Sequence, residues 1–67
     1  MRHNVANLAY IGDDINDLSL LKNAAVSGAP SNAQPEIHEV VNFITKNNGG
    51  YGAFREFVNY IIRINEK

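Results

Sequence analysis

Three aspartates, Asp13, Asp14 and Asp17, fall within five consecutive positions, and they are all the aspartates this chain has. They sit in the octet Tyr10-Ile11-Gly12-Asp13-Asp14-Ile15-Asn16-Asp17. Two carboxylates about 4 Å apart repel by roughly 4 kcal/mol at an effective dielectric of about 20. Such a cluster needs a counter-charge, raised pKa values or side chains that diverge. One or two carboxylates plus waters is how proteins hold magnesium, with substrate phosphate completing the shell. A helix starting at the same place adds positive potential for an anion. The pattern therefore points to a divalent cation and to phosphate chemistry, with Asp13 and Asp17 converging on the site and Asp14 beside them. The same residues also suit a plain helix cap, with Asp14 at the N-cap, Asp17 in the first turn and Asp13 solvated. One residue can cap while its neighbours bind, so both readings stand. A calcium loop of the EF-hand type is excluded, because the alternate-position acids and the central glycine are missing.

Positioning these carboxylates needs a strand before them and a helix after. The mostly apolar run from Val5 to Ile11, stopped by Gly12, predicts a central parallel strand. A helix is expected from near Asp14 to about Ala25, with Ile15, Leu18, Leu21 and Ala25 on one face. That arrangement puts the acids at the C-terminal end of a strand, where open α/β sheets place their ligands. Residues Met1 to Asn4 read as a loose end. Further on, Val26 to Ala29 predicts a second strand and Pro30 to Asn32 a turn. Ser31 or Asn32 would cap a short helix from about Gln34 to Val40, with Pro35 in its first turn. Val41 to Thr45 predicts a third strand. Lys46 to Gly50 reads as a turn. From Tyr51 or Gly52 to about Asn65 the pattern is helical, with Phe54, Phe57, Val58, Ile61 and Ile62 as its apolar stripe.

The expected fold class is α/β, about three parallel strands with three flanking helices and right-handed crossovers. That is half of an ordinary doubly wound domain, with an edge strand unpaired and the sheet incompletely covered. Either another chain completes it or it is a piece of a longer one. Length agrees, since a chain of about 60 residues buries only around 60% of its unfolded surface. With no cysteine, disulfides and thiolate metal sites are excluded. Six basic residues are scattered against seven acidic ones, with no patch for nucleic acid. No run approaches the roughly 20 apolar residues of a membrane span, and the start lacks the form of a signal peptide. A cytoplasmic protein is expected.

Outside the octet, the candidates are weaker. Gly49-Gly50-Tyr51-Gly52 can offer backbone N–H groups to an anion at the start of the last helix, or simply permit positive φ in a turn. Arg55, one turn on, can reach a carboxylate or phosphate as a bidentate donor, although Arg55-Glu56 also reads as a solvated face. His3 and His38 have no partner at useful spacing, and His38 reads as a surface residue. Tyr51 and Tyr60 read as core or interface.

The octet extended by Leu18 resembles the last acidic motif of the haloacid dehalogenase superfamily of magnesium-dependent phosphatases. The segment Gly49-Gly50-Tyr51-Gly52-Ala53-Phe54-Arg55-Glu56 resembles the C-terminal signature of its capless sugar-acid phosphatases. Those enzymes act on 3-deoxy-octulosonate 8-phosphate and nonulosonate 9-phosphates, in lipopolysaccharide or sialic acid biosynthesis. A similar domain ends some acylneuraminate cytidylyltransferases. Together the two motifs cover the chain from about Val5 to Ile62. The resemblance implies the C-terminal part of a Rossmann-like fold, with Mg2+ as cofactor and a phosphorylated sugar acid as substrate. It further implies Asp13 as the direct metal ligand and Asp17 as an indirect one that orients a metal-bound water or a catalytic lysine. Asp14, a further metal candidate, and Asn16, on the substrate side, would line the site, with Gly49, Gly50 and Arg55 near its entrance and the subunit interface of a homo-oligomer, a tetramer. The family's nucleophilic aspartate and the acid two residues after it lie on an earlier strand, and its phosphate-binding serine or threonine and lysine are also upstream. None has a counterpart here, because no aspartate precedes Asp13 and the first lysine is Lys22. The expectation is a segment that is inactive alone. The alternative is a non-catalytic oligomerisation module or the C-terminal domain of an acylneuraminate cytidylyltransferase.

Overall fold

The computed structural model describes residues 2–6 and 9–65, the former by backbone alone. The element order is β1 (Arg2–Ala6), β2 (Ala9–Gly12), a 3-10 turn (Ile15–Asp17), α1 (Leu18–Asn23), β3 (Val26–Ala29), α2 (Pro35–His38), β4 (Phe43–Ile44) and α3 (Gly50–Ile64). One sheet runs in the order β1-β2-β3-β4. Strands β2, β3 and β4 are parallel, as expected, while β1 pairs antiparallel with β2.

The antiparallel strand is a correction. The expected single strand from Val5 to Ile11 is instead split between β1 and β2, with residues 7 and 8 outside the described residues. Arg2 to Asn4, expected as a loose end, lie in β1, and Met1 is outside the described residues. The physical reason is the edge of β2, whose backbone groups would otherwise go unpaired. Arg2 sits opposite Gly12 and Asn4 opposite Tyr10, with an irregularity between Asn4 and Ala6.

Alternation along the strands sorts the core into two layers. On one face Ala9 and Ile11 of β2 meet Ala53, Phe57 and Ile61 of α3. These three helix residues recur every four positions and so form one stripe. Gly28 in β3 makes that contact possible, since a Cβ there would lie 2.6 Å from the Phe57 ring. Phe57 is fully buried, worth about 1.5–3 kcal/mol of transfer free energy. Phe43 stacks on Tyr60 with centroids 4.3 Å apart at the flank of this layer. On the other face Leu21 of α1, Ala29, Ala33 and Ile37 of α2 pack together, with Tyr10 and Leu18 against them. Helices therefore cover both faces of the parallel strands.

Several expected boundaries shift for local reasons. The helix after Gly12 begins as a 3-10 turn and ends at Asn23, because Ala24 is extended. That turn rotates Ile15 outward, leaving it 49% exposed, and Ala25 is exposed as well, while Leu21 is buried. Gln34, not Ser31 or Asn32, is the N-cap of α2. The third strand contracts to Phe43–Ile44. Before it, the Asn42 side chain accepts from the Ser27 N–H at 2.8 Å. Ile62, expected in the apolar stripe of α3, is half exposed. His38 is half-buried rather than on the surface, its Nε2 2.9 Å from the Pro30 carbonyl. No helix among the described residues is long and apolar enough to cross a membrane.

Candidate active site

The parallel strands end at one rim. Ile11 pairs with Gly28 and Ala29 with Ile44, so by the same register Asp13, Pro30 and Thr45 leave the sheet at one level. Adjacent strands are about 4.8 Å apart, which brings the loops after β2, β3 and β4 side by side. The candidate residues are spread over the first and last of these loops.

After β2 the chain folds on itself. The Asp17 carboxylate accepts from the Asp14 N–H at 3.2 Å, and the Asp14 carboxylate accepts from the Asn16 N–H at 3.4 Å. The Asp17 N–H donates to the Asp14 carbonyl at 2.8 Å. Asp14 and Asp17 thus form a capping box, as their spacing predicts. Asp17 is buried at 5% exposure. It lies so close to the strand end that a Cβ on Gly12 would stand 2.7 Å from its Oδ2. Glycine at position 12 is the condition for that carboxylate to sit there. Asp13 is half-buried between strand and turn, and Asp14 and Asn16 are exposed. Asn16 lines an open hollow with Ile15, Leu18, Ser19, Lys22 and Asn23. Among the described residues, no three of His, Cys, Asp and Glu are grouped to hold a metal ion. The acidic turn nonetheless offers hard carboxylate oxygens, the chemistry that suits magnesium with a partly water-filled shell.

The loop after β4 is built from further away. Gly49 and Gly50 have φ of +91° and +69°, a region open to glycine and strained for most side chains. Gly49 is the N-cap of α3, with no side-chain cap bond. Arg55 is exposed, donates from Nη1 to the Tyr51 hydroxyl at 3.3 Å, and has its guanidinium carbon 5.6 Å from the Tyr51 ring centre. Tyr51, expected in a core or interface, is 72% exposed. The result is a guanidinium and an aromatic hydroxyl presented together one turn after the glycines.

Two residues with no expected role at the site help to hold this loop. Glu56 accepts from the Asn47 N–H at 2.8 Å, from the Lys46 N–H at 3.2 Å and from the Asn47 side-chain amide at 2.9 Å. It is a clamp, not merely part of a solvated face. The Asn47 N–H is the main cause that holds its carboxyl below the ordinary value; desolvation opposes this, and the other bonds and the Lys46 charge add to it. Ser31 joins from the β3 side, its N–H donating to the Asn47 carbonyl at 3.2 Å. A carboxylate at the seventh position of a helix offers no local pattern that marks it as a clamp for the preceding loop.

The family of haloacid dehalogenase-like hydrolases matches residues 1–57 of this chain. The 3-deoxy-D-manno-octulosonate 8-phosphate phosphatase KdsC of Yersinia pestis is 33% identical over 60 residues, covering 90% of this chain and 32% of that enzyme. N-acylneuraminate cytidylyltransferase B of Danio rerio is 30% identical over 60 residues, again 90% of this chain but 14% of the relative. Among solved structures, a HAD superfamily (subfamily III A) hydrolase from Legionella pneumophila matches with a TM-score of 0.76 and 42% identity, over 82% of this chain and 30% of its own. The chain spans a third or less of the length of each of these relatives.

Proposed function

The chain belongs to the haloacid dehalogenase-like hydrolases, and on that premise we propose that it is the C-terminal part of a magnesium-dependent phosphatase acting on a phosphorylated sugar acid. The observation that carries this reading is the acidic turn at the C-terminal rim of the parallel strands, with Asp17 folded against Gly12 and Asp13 beside it. The KdsC relative supports the substrate class.

In this reading Asp13 is the side chain that holds Mg2+, and Asp17 acts indirectly by fixing the turn from which Asp13 projects. Asp14 caps that turn. When bound, the cation would supply charge neutralisation for a phosphoryl group. Gly49, Gly50 and Arg55 meet the substrate from the neighbouring loop, the glycines through backbone N–H groups and Arg55 through its guanidinium. Asn16, exposed beside the acids, contacts the substrate from the other side. The attacking carboxylate and its acid partner come from polypeptide outside these 67 residues, so the segment alone does no phosphoryl transfer. A homo-oligomer or the remainder of the domain completes the sheet.

Titrating the chain with Mg2+ by calorimetry tests the metal assignment. Asp13→Asn should weaken binding at least tenfold, and an unchanged affinity would remove Asp13 as the ligand. A second reading, a C-terminal segment of an acylneuraminate cytidylyltransferase, is favoured by the zebrafish relative. Phosphatase activity in the completed protein separates the two.

A further inference from the structure

We infer that Ser31 is a positioning residue of the candidate site, holding Asn48 and thereby setting the backbone direction of Gly49 and Gly50. The inference rests on the reading that these glycines belong to the site. Ser31 leaves the sheet just past Pro30, at the rim shared with Asp13. Its hydroxyl donates to the Asn48 side-chain oxygen and lies 3.3 Å from the Asn47 carbonyl and 3.4 Å from that of Lys46. A serine hydroxyl has one proton, and of its three acceptors the Asn48 side-chain oxygen is the nearest. The residue is not occupied by the cap of α2, which falls on Gln34 without any side-chain bond.

What the glycines lack makes this bond matter. A Cβ on Gly50 would meet nothing within 4 Å, and one on Gly49 nothing nearer than 3.8 Å. No close side-chain packing on that side selects their conformation, and glycine itself favours none. Glu56 anchors the loop only as far as Asn47. The bond from Ser31 reaches the next residue, Asn48, immediately before the two positive-φ positions. It ties the end of β3 to the start of α3 across 17 residues of sequence.

Backbone 15N relaxation on the intact 67-residue chain tests this without metal or phosphate. In the wild type Gly49 and Gly50 should show order parameters near the rigid value of about 0.85, and Ser31→Ala should lower both below about 0.6. Ile11 and Phe57 should stay rigid in both proteins. Asn48→Ala, at an exposed position, should reproduce the loss, and it serves if the serine variant does not fold. Ser31→Thr should restore order, and the double alanine variant should lose no more than either single one. Glycines that are already mobile in the wild type, that stay rigid in both alanine variants, or that loosen together with Ile11 and Phe57 would overturn the inference. Because the readout contains no substrate, the latch can fail while the phosphatase reading stands, and the reverse.

Discussion

The acidic turn after β2 holds itself with bonds that span two or three residues, from the Asn16 and Asp14 N–H groups to the carboxylates of Asp14 and Asp17. The loop from Lys46 to Gly50 has a local bond, from the Thr45 hydroxyl to the Asn47 carbonyl at 2.7 Å, and is otherwise held by Glu56 from nine or ten residues ahead and by Ser31 from 15 to 17 residues behind. Both border the same rim, yet they depend on different things. In the first, Asp14 and Asp17 bond within their own turn, over a glycine. The second exists when α3 and the end of β3 are already in place. The capping box of the proposed metal side is therefore local, and the proposed substrate side draws on distant parts of the fold.

The largest effect should come from breaking the local turn at its base. Gly12→Ala puts a Cβ 2.7 Å from the Asp17 carboxylate, and such overpacking costs about 1–3 kcal/mol. Urea unfolding should show a lower midpoint with an unchanged slope. For a chain this small that is a large share of its stability. Next, Asp14→Ala removes the N-cap at a cost of about 1 kcal/mol. Amide exchange should quicken over Ile15 to Leu18 while Lys46 to Gly50 keep wild-type rates. If the second loop loosened as well, the separation between the two regions would be wrong.

A smaller change, gated by pH, should mark the distant loop. The folded chain holds the Glu56 carboxyl below its ordinary value. Its contribution is then full above the unfolded-state pKa and is lost as pH falls through the lower folded one. Glu56→Gln should flatten that acid-side loss of stability and expose the Lys46 and Asn47 amides to exchange at neutral pH. Equal pH profiles for wild type and variant would show that the clamp does not carry the loop.

The same contrast governs what could be read from the residues alone. Asp14 and Asp17 at a spacing of three announce a capping box, and Gly12 before them announces a strand end. The three parallel strands followed from short apolar runs, and Phe57 and Ile61 from their helical spacing. The role of Glu56 could not be seen, because its partners are backbone N–H groups brought close only by the fold. Ser31 or Asn32 reads as a helix cap for the same reason, as a residue type that caps, placed near a helix that begins with Pro35. The hairpin of β1 with β2 was missed because an apolar run read as one strand says nothing of where its own edge will be paired. Tyr51 reads as core or interface, and the core half of that reading fails because it precedes the buried stripe Ala53, Phe57 and Ile61 by two positions and turns outward.

The central proposal is that these residues form the metal-side part of a phosphatase site whose nucleophile lies elsewhere. Its most direct test measures phosphate release from a phosphorylated sugar acid in the presence of Mg2+. The assay compares the 67-residue chain alone, the chain joined to the upstream part of the Legionella relative, and that fusion carrying Asp13→Asn. The account predicts no turnover by the chain alone, turnover by the fusion, and its loss by at least a hundredfold in the Asp13 variant. Turnover by the chain alone, or a fusion indifferent to Asp13, would contradict it.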